Sequence, residues 1–550
     1  MMMKRMFLLT MSFVVLLGLI VITPKPATVE AAFGPSDFLK TSGKVIRNNS
    51  GTGAIVNLRG PNLGGWLLQE EWMSPMNTPD QYTLTQTLWN RFGTDGNHNL
   101  QNSYQDIWIQ ASDLDNIKNM GLNSVRVPIY WEDFMNPDGT MKPDSISFRE
   151  LNWLVAESAQ RNIYVIIDFH GVQGGACPWH SCGISNSNQL WTNTTYQDRT
   201  VQIWERIATY YNGNPTIAAY DLLNEPLVSN GAAENAAQIK KKFDYYDRLY
   251  KAVRAKDPNH IIMIAAFFDW EQALPPSTYG WTNVVYETHN YNFDQYDNWS
   301  VTNAMMDNWL SKMAQYQTAW NVPVYAGEFS YGQLDLWEKW LGGLNALNAS
   351  WSNWSYKVRG GGNWGYYNNN NNPVPDIYND SAATIVAKWN RFQTSYFQPN
   401  TGLINVIKKY STQAPAPVTS TSSIQALANN SYVSAENAGA GSLVANRATV
   451  GGWEKFTVIN NADGTISLLS AANNRYVTAV IDENNQLVAR ATSIQGWEKF
   501  RRIDRGNGKI ALQAVANNKY VSADQNLGSV LYANRDTVSQ WEEFVITSAP

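Results

Sequence analysis

This 550-residue chain has only two cysteines, a small net charge and few long apolar runs. Each of these features excludes some classes of protein or partner. A net charge of −5 gives no electrostatic reason to expect nucleic acid or an anionic membrane as a partner. Beyond residue 22 no stretch is apolar enough to cross a bilayer. With 44% hydrophobic and 16% charged residues, the composition is typical of a soluble globular protein.

The only two cysteines, Cys177 and Cys182, lie close together in the chain. In an exported protein such a pair most simply closes a small loop through a disulfide, which is the interpretation we favour. A metal site that includes His180 between them is the alternative, but no fourth ligand is evident and the spacing fits no zinc template. Neither a metal ion nor an organic cofactor is predicted.

The N-terminus is typical of an export signal. Lys4 and Arg5 precede an apolar run at residues 7–22, and a small-residue cleavage site follows near Ala31 or Ala32. A membrane anchor is the alternative, but the run is short for a span and lacks a stop-transfer flank. Residues 1–32 are therefore predicted to be a signal peptide, and the mature protein is expected to be secreted and free of the membrane.

Aromatic residues are abundant, at 13% of the chain with 23 Trp. Aromatic rings stack on the C–H faces of sugars, so the excess suggests a carbohydrate ligand, although core packing would explain it equally well. A chain of this length is too long for one core and is expected to form roughly two or three domains.

One sequence unit occurs three times near the C-terminus, at a spacing of 44 residues. The recurring strings are Trp-Glu-x-Phe, beginning at Trp453, Trp497 and Trp541, and Asn-Asn-x-Tyr-Val, beginning at Asn429, Asn473 and Asn517. Short β-patterned runs lie between Asn and Gly turns, which indicates that the three repeats form one shared hydrophobic core. This architecture is a β-trefoil. The repeats resemble the fascin-like trefoil family over about residues 423–547.

A trefoil domain is accordingly predicted at residues 423–550, as a carbohydrate-binding module or, alternatively, as a structural appendage. Its recurring Trp and Tyr residues are expected to be core and turn residues. Residues 411–422, rich in Pro, Ser and Thr, are predicted to be a linker without a hydrophobic core of its own.

Residues 33–410 alternate short β-branched runs with helical patterns, such as a helix at 113–120. Eight strand candidates lie at residues 59–66, 124–129, 164–170, 219–225, 261–265, 284–289, 324–328 and 352–357. Eight strands in this length predict a (β/α)8 TIM barrel, with a doubly wound open sheet as the alternative.

Polar residues fall where the predicted apolar strands end, and this favours the barrel. The residues are Arg126, His170, Asn224, Glu225, His289 and Glu328. In a barrel the carboxyl ends of the strands share one face, so these side chains are expected to converge on one pocket. Two carboxylates in one pocket suit glycosidic bond cleavage, in which one donates a proton and the other attacks or stabilises the anomeric carbon.

Five short motifs carry a resemblance to glycoside hydrolase family 5. They are Val125-Arg126-Val127-Pro128, Asp168-Phe169-His170-Gly171, Leu223-Asn224-Glu225-Pro226, His289-Asn290-Tyr291 and Gly327-Glu328-Phe329. The resemblance implies a retaining mechanism with Glu225 as acid/base and Glu328 as nucleophile. It also implies that Arg126 steadies the nucleophile and that Asn224 binds the sugar 2-hydroxyl. The remaining implied substrate-binding residues are His170, His289, Tyr291 and the platform Trp354.

The stretch Arg59-Gly60-Pro61-Asn62-Leu63-Gly64-Gly65-Trp66 and its continuation to Glu70 resemble the opening of the exo-β-1,3-glucanase subfamily. That resemblance implies that Glu70 binds the non-reducing glucose, although Glu71 stands where the subfamily has Pro. A monomeric β-1,3-glucanase acting on β-glucan is expected, with β-1,4- or β-1,6-glucanase action as alternatives. A non-catalytic glucan-binding protein and a trefoil lectin carried by an inert barrel are the alternatives of another class.

Overall fold

The computed structural model describes residues 33–231, 233–267, 269–369, 371–416, 421–461 and 463–549. The predicted signal peptide, residues 1–32, lies outside the described residues. The chain divides into two compact units, Met1–Ala416 and Pro417–Pro550. Among the helices of the described ranges, none combines the length and the apolar character that a bilayer crossing requires.

Eight parallel strands form the central sheet of the first unit. They are β1 (Arg59–Pro61), β2 (Ser124–Tyr130), β3 (Tyr164–Gly171), β4 (Ile217–Asp221), β5 (Ile261–Phe267), β6 (Val284–Asn290), β7 (Val324–Phe329) and β8 (Ser350–Asn353). Strands β1 and β2 close the ring, because the Asn123 amide donates to Arg59 O at 3.0 Å and the Leu63 amide to Arg126 O at 2.8 Å. The predicted (β/α)8 barrel is confirmed, and a closed ring excludes the open sheet.

Helices follow most of these strands along the chain, whereas the described residues between β5 and β6 form only two short 3-10 turns, Trp270–Gln272 and Pro276–Thr278. The helices are α1 (Gln81–Trp108), α2 (Ala111–Asn119), α3 (Arg149–Ala159), α4 (Thr194–Tyr211), α5 (Ala236–Lys256), α6 (Trp299–Trp320), α7 (Leu334–Ala346), α8 (Ala382–Trp389) and α9 (Thr401–Ser411). Helix α4 illustrates why they form: Asn193 caps its start, and Ile203, Ile207 and Tyr211 recur at helical spacing and are buried. Strands β2, β3, β6 and β7 are buried along their whole length, which explains the short apolar runs in their sequences.

Two predicted strand boundaries and the predicted placement of Arg126 are wrong in ways that matter for the site. Strand β4 ends at Asp221 rather than at residue 225, so Glu225 lies in the turn that follows. Arg126 lies inside β2 rather than at its end. Strand β1 ends at Pro61, and Gly65 in the left-handed region (φ 72°) turns the chain that was predicted to stay extended to residue 66.

The predicted linker is also partly wrong. Helix α9 includes Ser411, whose hydroxyl donates to Met120 O at 2.6 Å. The buried Arg59 guanidinium donates to the carbonyls of Ser411 and Gln413, and Asn348 donates to Ala416 O. Residues 411–416 are therefore fastened to the barrel, and residues 417–420 lie outside the described residues.

The second unit is built from antiparallel strands joined in one sheet. They are β9 (Thr421–Ala426), β10 (Ser431–Ala435), β11 (Leu443–Arg447), β12 (Phe456–Asn460), β13 (Ile466–Ser470), β14 (Arg475–Val480), β15 (Gln486–Ala491), β16 (Phe500–Gly506), β17 (Lys509–Ala514), β18 (Tyr520–Asp524), β19 (Val530–Arg535) and β20 (Phe544–Ser548). The hairpins β10–β11, β14–β15 and β18–β19 share one register shift, directly after Tyr432, Tyr476 and Tyr520. The sequence repeat is thus a structural repeat of an all-β unit.

Candidate active site

A cavity of about 580 Å³ opens at the carboxyl ends of the barrel strands. Three carboxylates line it, those of Glu70, Glu225 and Glu328. Six aromatic side chains complete much of the wall: Trp72, Trp179, Tyr291, Phe293, Trp354 and Trp364. A cavity with convergent carboxylates and aromatic walls suits a sugar ring, which presents hydroxyl groups at its rim and C–H groups on its faces.

Glu225 and Glu328 meet in this cavity. Glu225 follows β4 and Glu328 lies near the end of β7, yet an oxygen of each lies within 4.8 Å of the other and of a His289 ring nitrogen. Each residue is almost buried, at 7% and 5% exposure, while its side chain still lines the cavity. Carboxyl groups about 5–5.5 Å apart are typical of retaining glycosidases, whereas inverting enzymes need about 6.5–9.5 Å to admit water.

The Glu328 carboxylate is held by two donors. Arg126 Nη1 donates to Oε1 at 3.0 Å and the Tyr291 hydroxyl donates to Oε2 at 2.9 Å. Both bonds favour the ionised carboxylate and fix its orientation. This is the environment that a carboxylate nucleophile requires.

Glu225 has different partners. His289 Nδ1 lies 2.7 Å from its Oε1, and the Ser181 hydroxyl donates weakly to Oε2 at 3.4 Å. His289 Nε2 is itself 2.9 Å from the buried Glu287. Burial lowers the pKa of His289, but Glu328, Glu225 and Glu287 outweigh burial and raise that pKa well above its ordinary value.

Arg126 is the fully buried cation beneath the cavity. Its guanidinium forms ion pairs with four carboxylates at 2.8–3.2 Å, those of Asp168, Asp221, Glu287 and Glu328. Burial lowers its pKa, but these carboxylates outweigh burial and raise the pKa well above its ordinary value. The guanidinium is therefore permanently charged and joins four strands to the floor of the site.

Asn224 and His170 form a second connected group. Arg126 donates to Asn224 Oδ1 at 2.8 Å, which leaves the amide nitrogen to face His170 Nε2 at 3.1 Å. His170 Nδ1 bonds Asp168 at 2.6 Å, and its ring stacks on Trp354 with centroids 5.2 Å apart. The predicted residues Arg126, Asn224, His170 and Trp354 are thus one contact network.

Glu70 lies on another wall of the cavity, where Trp72 Nε1 donates to it at 3.1 Å and His180 Nε2 lies 3.0 Å away. Burial raises the pKa of Glu70, but His180, His170 and Trp72 outweigh burial and lower it. Glu70 is therefore an anion in the cavity, able to accept hydrogen bonds from sugar hydroxyls.

Among the cavity-lining residues that were not predicted, Trp179, His180 and Ser181 share one short segment. All three lie between Cys177 and Cys182, which form a disulfide in the structure. The bridge packs against Leu227, and the Leu227 amide donates to Ala176 O at 3.0 Å. Because Leu227 follows Glu225 by two residues, the disulfide loop and the turn that carries Glu225 are fastened together.

Spacing alone would also allow a metal ion between Glu225, His289 and Glu328. Both His289 nitrogens, however, face carboxylates, and the pKa of the ring is raised. A protonated imidazole has no lone pair for a cation. The three groups fit proton transfer better than metal binding.

Residues 84–360, half of the chain, match the sequence profile of the family described as "Cellulase (glycosyl hydrolase family 5)". The chain belongs to glycosyl hydrolase family 5. The matched residues all lie in the unit that ends at Ala416, so this unit is the catalytic candidate.

Two curated relatives and one solved structure illustrate the similarity of this family 5 chain to known proteins. It is 30% identical over 265 residues to the "Beta-xylosidase" of Phanerodontia chrysosporium, covering 46% of this chain and 52% of that protein. It is 27% identical over 264 residues to the "Probable glucan 1,3-beta-glucosidase A" of Neosartorya fischeri, covering 44% of this chain and 58% of that protein. The chain thus spans about half the length of the curated relatives it matches. The crystal structure of rutinosidase from Aspergillus niger is 18% identical with a TM-score of 0.47, covering 56% of this chain and 95% of that one.

Activity of this family 5 barrel is expected to fall as the pH falls through about 7. Burial raises the pKa of Glu328 to about 7, helped by Glu225 and opposed by His289 and Arg126. A carboxylate nucleophile must be ionised to attack, and below that pH Glu328 binds a proton. A pH profile of kcat/KM measures this limb; a profile flat from pH 6 to 9 would contradict it.

Opening the disulfide is expected to lower kcat/KM by about 10-fold or more, because misplacing groups in a site by about 1 Å can cost 10²-fold. The double variant Cys177→Ser, Cys182→Ser releases the loop that carries His180 and Ser181. The exposed pair Lys240 and Asp244 offers a matched control, since its removal is expected to leave kcat/KM unchanged. Equal kinetics for the cysteine variant and the parent would contradict the role given to the loop.

Proposed function

We propose that this chain is a secreted retaining β-glucanase that hydrolyses β-1,3-glucan. The meeting of Glu225 and Glu328 around one end of the cavity carries the proposal. The family 5 membership and the similarity to proteins named glucan 1,3-beta-glucosidase support the reaction class and the linkage.

In the first step an oxygen of Glu328 attacks the anomeric carbon as the glycosidic bond breaks. Glu225 gives its proton to the departing glycosidic oxygen, so the leaving alcohol is neutral. In the second step Glu225 takes a proton from water, the resulting hydroxide attacks the anomeric carbon, and Glu328 leaves as a carboxylate. Two inversions give net retention.

The other residues supply binding and orientation in this proposal. Asn224 is positioned by Arg126 and His170 to bond the sugar 2-hydroxyl, and His289 holds Glu225. Trp354 offers an indole face for the ring. Glu70 binds hydroxyls of the non-reducing glucose, with His180 as its partner.

The second unit is proposed to be a fascin-like β-trefoil that serves as a carbohydrate-binding module. The three hairpins with a common register shift support this architecture. A polymer-binding module would raise the local concentration of substrate at the barrel. The expected assembly is a monomer.

Product analysis on three polymers tests the substrate assignment: β-1,3-glucan, cellulose and β-1,6-glucan, each incubated with the full chain. Hydrolysis of β-1,3-glucan with the highest kcat/KM supports the proposal, and glucose as the sole early product indicates exo action. A higher kcat/KM on cellulose or β-1,6-glucan would mean that the enzyme prefers β-1,4 or β-1,6 linkages instead of β-1,3 linkages. Because one relative is named a β-xylosidase, an aryl β-xyloside belongs in the panel. No hydrolysis of any of these substrates would favour a glucan-binding protein without catalysis.

A further inference from the structure

Most residues that recur in all three copies of the second unit have a clear structural reason to do so. Three sets are core residues with at most 1% exposure: Val433, Val477 and Val521; Leu443, Leu487 and Leu531; and Phe456, Phe500 and Phe544. The loss of any of these would leave a cavity, so packing alone accounts for their recurrence.

Two recurring polar residues are explained by backbone hydrogen bonds. The first asparagine of each Asn-Asn pair donates from Nδ2 to a strand carbonyl 16 residues on, at 2.7–2.8 Å; the residues are Asn429, Asn473 and Asn517. The buried glutamate after each Trp accepts from the amide three residues before it, at 2.7–2.9 Å; the residues are Glu454, Glu498 and Glu542. These side chains satisfy buried polar groups.

The recurring tryptophans differ from all of these. Of the core and turn positions predicted for the recurring aromatic residues, these two occupy turns: Trp453 is 38% exposed, and Trp497, in the short turn Gly496–Glu498, is 36% exposed. The residue before each is a glycine, Gly452 or Gly496, where an added Cβ would meet no atom within 4 Å. Open space therefore lies beside each of these glycines, next to a partly exposed indole. The largest apolar side chain has been kept at a partly exposed site, beside a residue that leaves room for a ligand.

The third copy lacks this arrangement. There Gln540 replaces the glycine, and the Arg535 guanidinium lies over the Trp541 ring at 5.4 Å from its centroid. Trp541 is half-buried and its ring face has a partner from within the chain. The scaffold is thus the same in all three copies, but among the described residues it is the ring of Trp541 that has a guanidinium over its face.

We propose that Trp453 and Trp497 are the stacking platforms of two saccharide-binding sites on the second unit, and that the third copy is not a site. The ligand class is a β-linked glucan chain, because successive sugar rings present C–H faces that match an indole. Beside the first platform, the partly exposed Arg447 pairs with Glu436 and lies 3.6 Å from Glu454, offering polar groups to sugar hydroxyls. The choice of glucan as the ligand rests on the proposed function of the barrel, whereas the assignment of the two tryptophans as platforms does not depend on that function.

The test uses the full chain carrying Glu328→Gln, so that the polymer is bound without being cut, and insoluble β-1,3-glucan as the probe. Trp453→Ala and Trp497→Ala are each expected to weaken binding about 3- to 10-fold, and the double variant at least about 10-fold, because two linked sites act together. Trp541→Ala is the matched control from the same scaffold position and is expected to bind as the parent does. Equal losses for all three variants, or no loss for the double variant, would overturn the proposal.

A second pair of variants keeps the test decisive if removing tryptophan disturbs folding, which thermal melting monitors. Gly452→Gln and Gly496→Gln copy the third repeat into the first two without touching the indoles, and are expected to weaken binding about as much as the Trp variants. Unchanged binding by folded Gly variants would overturn the proposal. Product analysis of the parent on β-1,3-glucan is a separate readout, so a failure of the barrel's proposed function is recognised independently.

Discussion

Glu328→Gln is expected to lower kcat on every substrate by about 10⁴-fold or more, because it removes the group that attacks the anomeric carbon. The amide keeps the shape of the carboxylate, so polysaccharide binding should remain. Steady-state and single-turnover rates on β-1,3-glucan measure the loss.

Two matched variants sharpen this result. Glu225→Gln is expected to lower kcat by about 10²–10⁴-fold on natural glucan. The loss should be much smaller on substrates with activated leaving groups, because these groups depart without receiving a proton. Glu132→Gln removes a half-buried carboxylate that does not line the cavity, and its kcat is expected to stay near that of the parent. Loss of activity in Glu132→Gln equal to that in Glu328→Gln would mean that the effect is not specific to the site.

Arg126→Met is expected to reduce the free energy of unfolding by about 3–5 kcal/mol, as breaking a buried ion pair does. The substitution leaves the carboxylates of Asp168, Asp221, Glu287 and Glu328 without their shared counterion. Such a loss is a large part of the stability of a typical domain, about 5–15 kcal/mol. Denaturant unfolding of the full chain measures the change in this free energy, which is read from the transition of the barrel.

Arg161→Met is the control for that experiment. Arg161 also pairs with two carboxylates, Asp115 and Glu157, but these are 57% and 25% exposed. Its removal is expected to cost about 1 kcal/mol or less. Similar costs for Arg126→Met and Arg161→Met would show that the buried network is not an important source of stability.

The barrel was predictable because several of its strands have apolar sequences that are easily recognised. Strands β2, β3, β6 and β7 are buried on both faces, and that burial produces apolar runs which are easily recognised in sequence. The predicted placement of Arg126 at a strand end was less accurate. A buried Arg inside a strand is stabilised by partners on other strands, and its position becomes intelligible only when those partners are known.

The disulfide loop could not be predicted in the same way. The cysteines suggested a closed loop, but nothing in the local sequence says that His180 would meet Glu70, which is 110 positions away. Loop direction depends on tertiary contacts such as those of Leu227 with the disulfide. The exposure of Trp453 and Trp497 could not be predicted for a related reason, since recurrence at a fixed spacing does not distinguish the core residues of a repeat from its turn residues.

The central claim is that Glu225 and Glu328 act on one anomeric carbon by two successive inversions. Proton NMR of the sugar released in the first minutes of hydrolysis tests it most directly, before the anomers equilibrate. We expect the β-anomer to appear first and the α-anomer only later, by mutarotation. Initial release of the α-anomer would contradict the account, because it would require water rather than Glu328 as the attacking group.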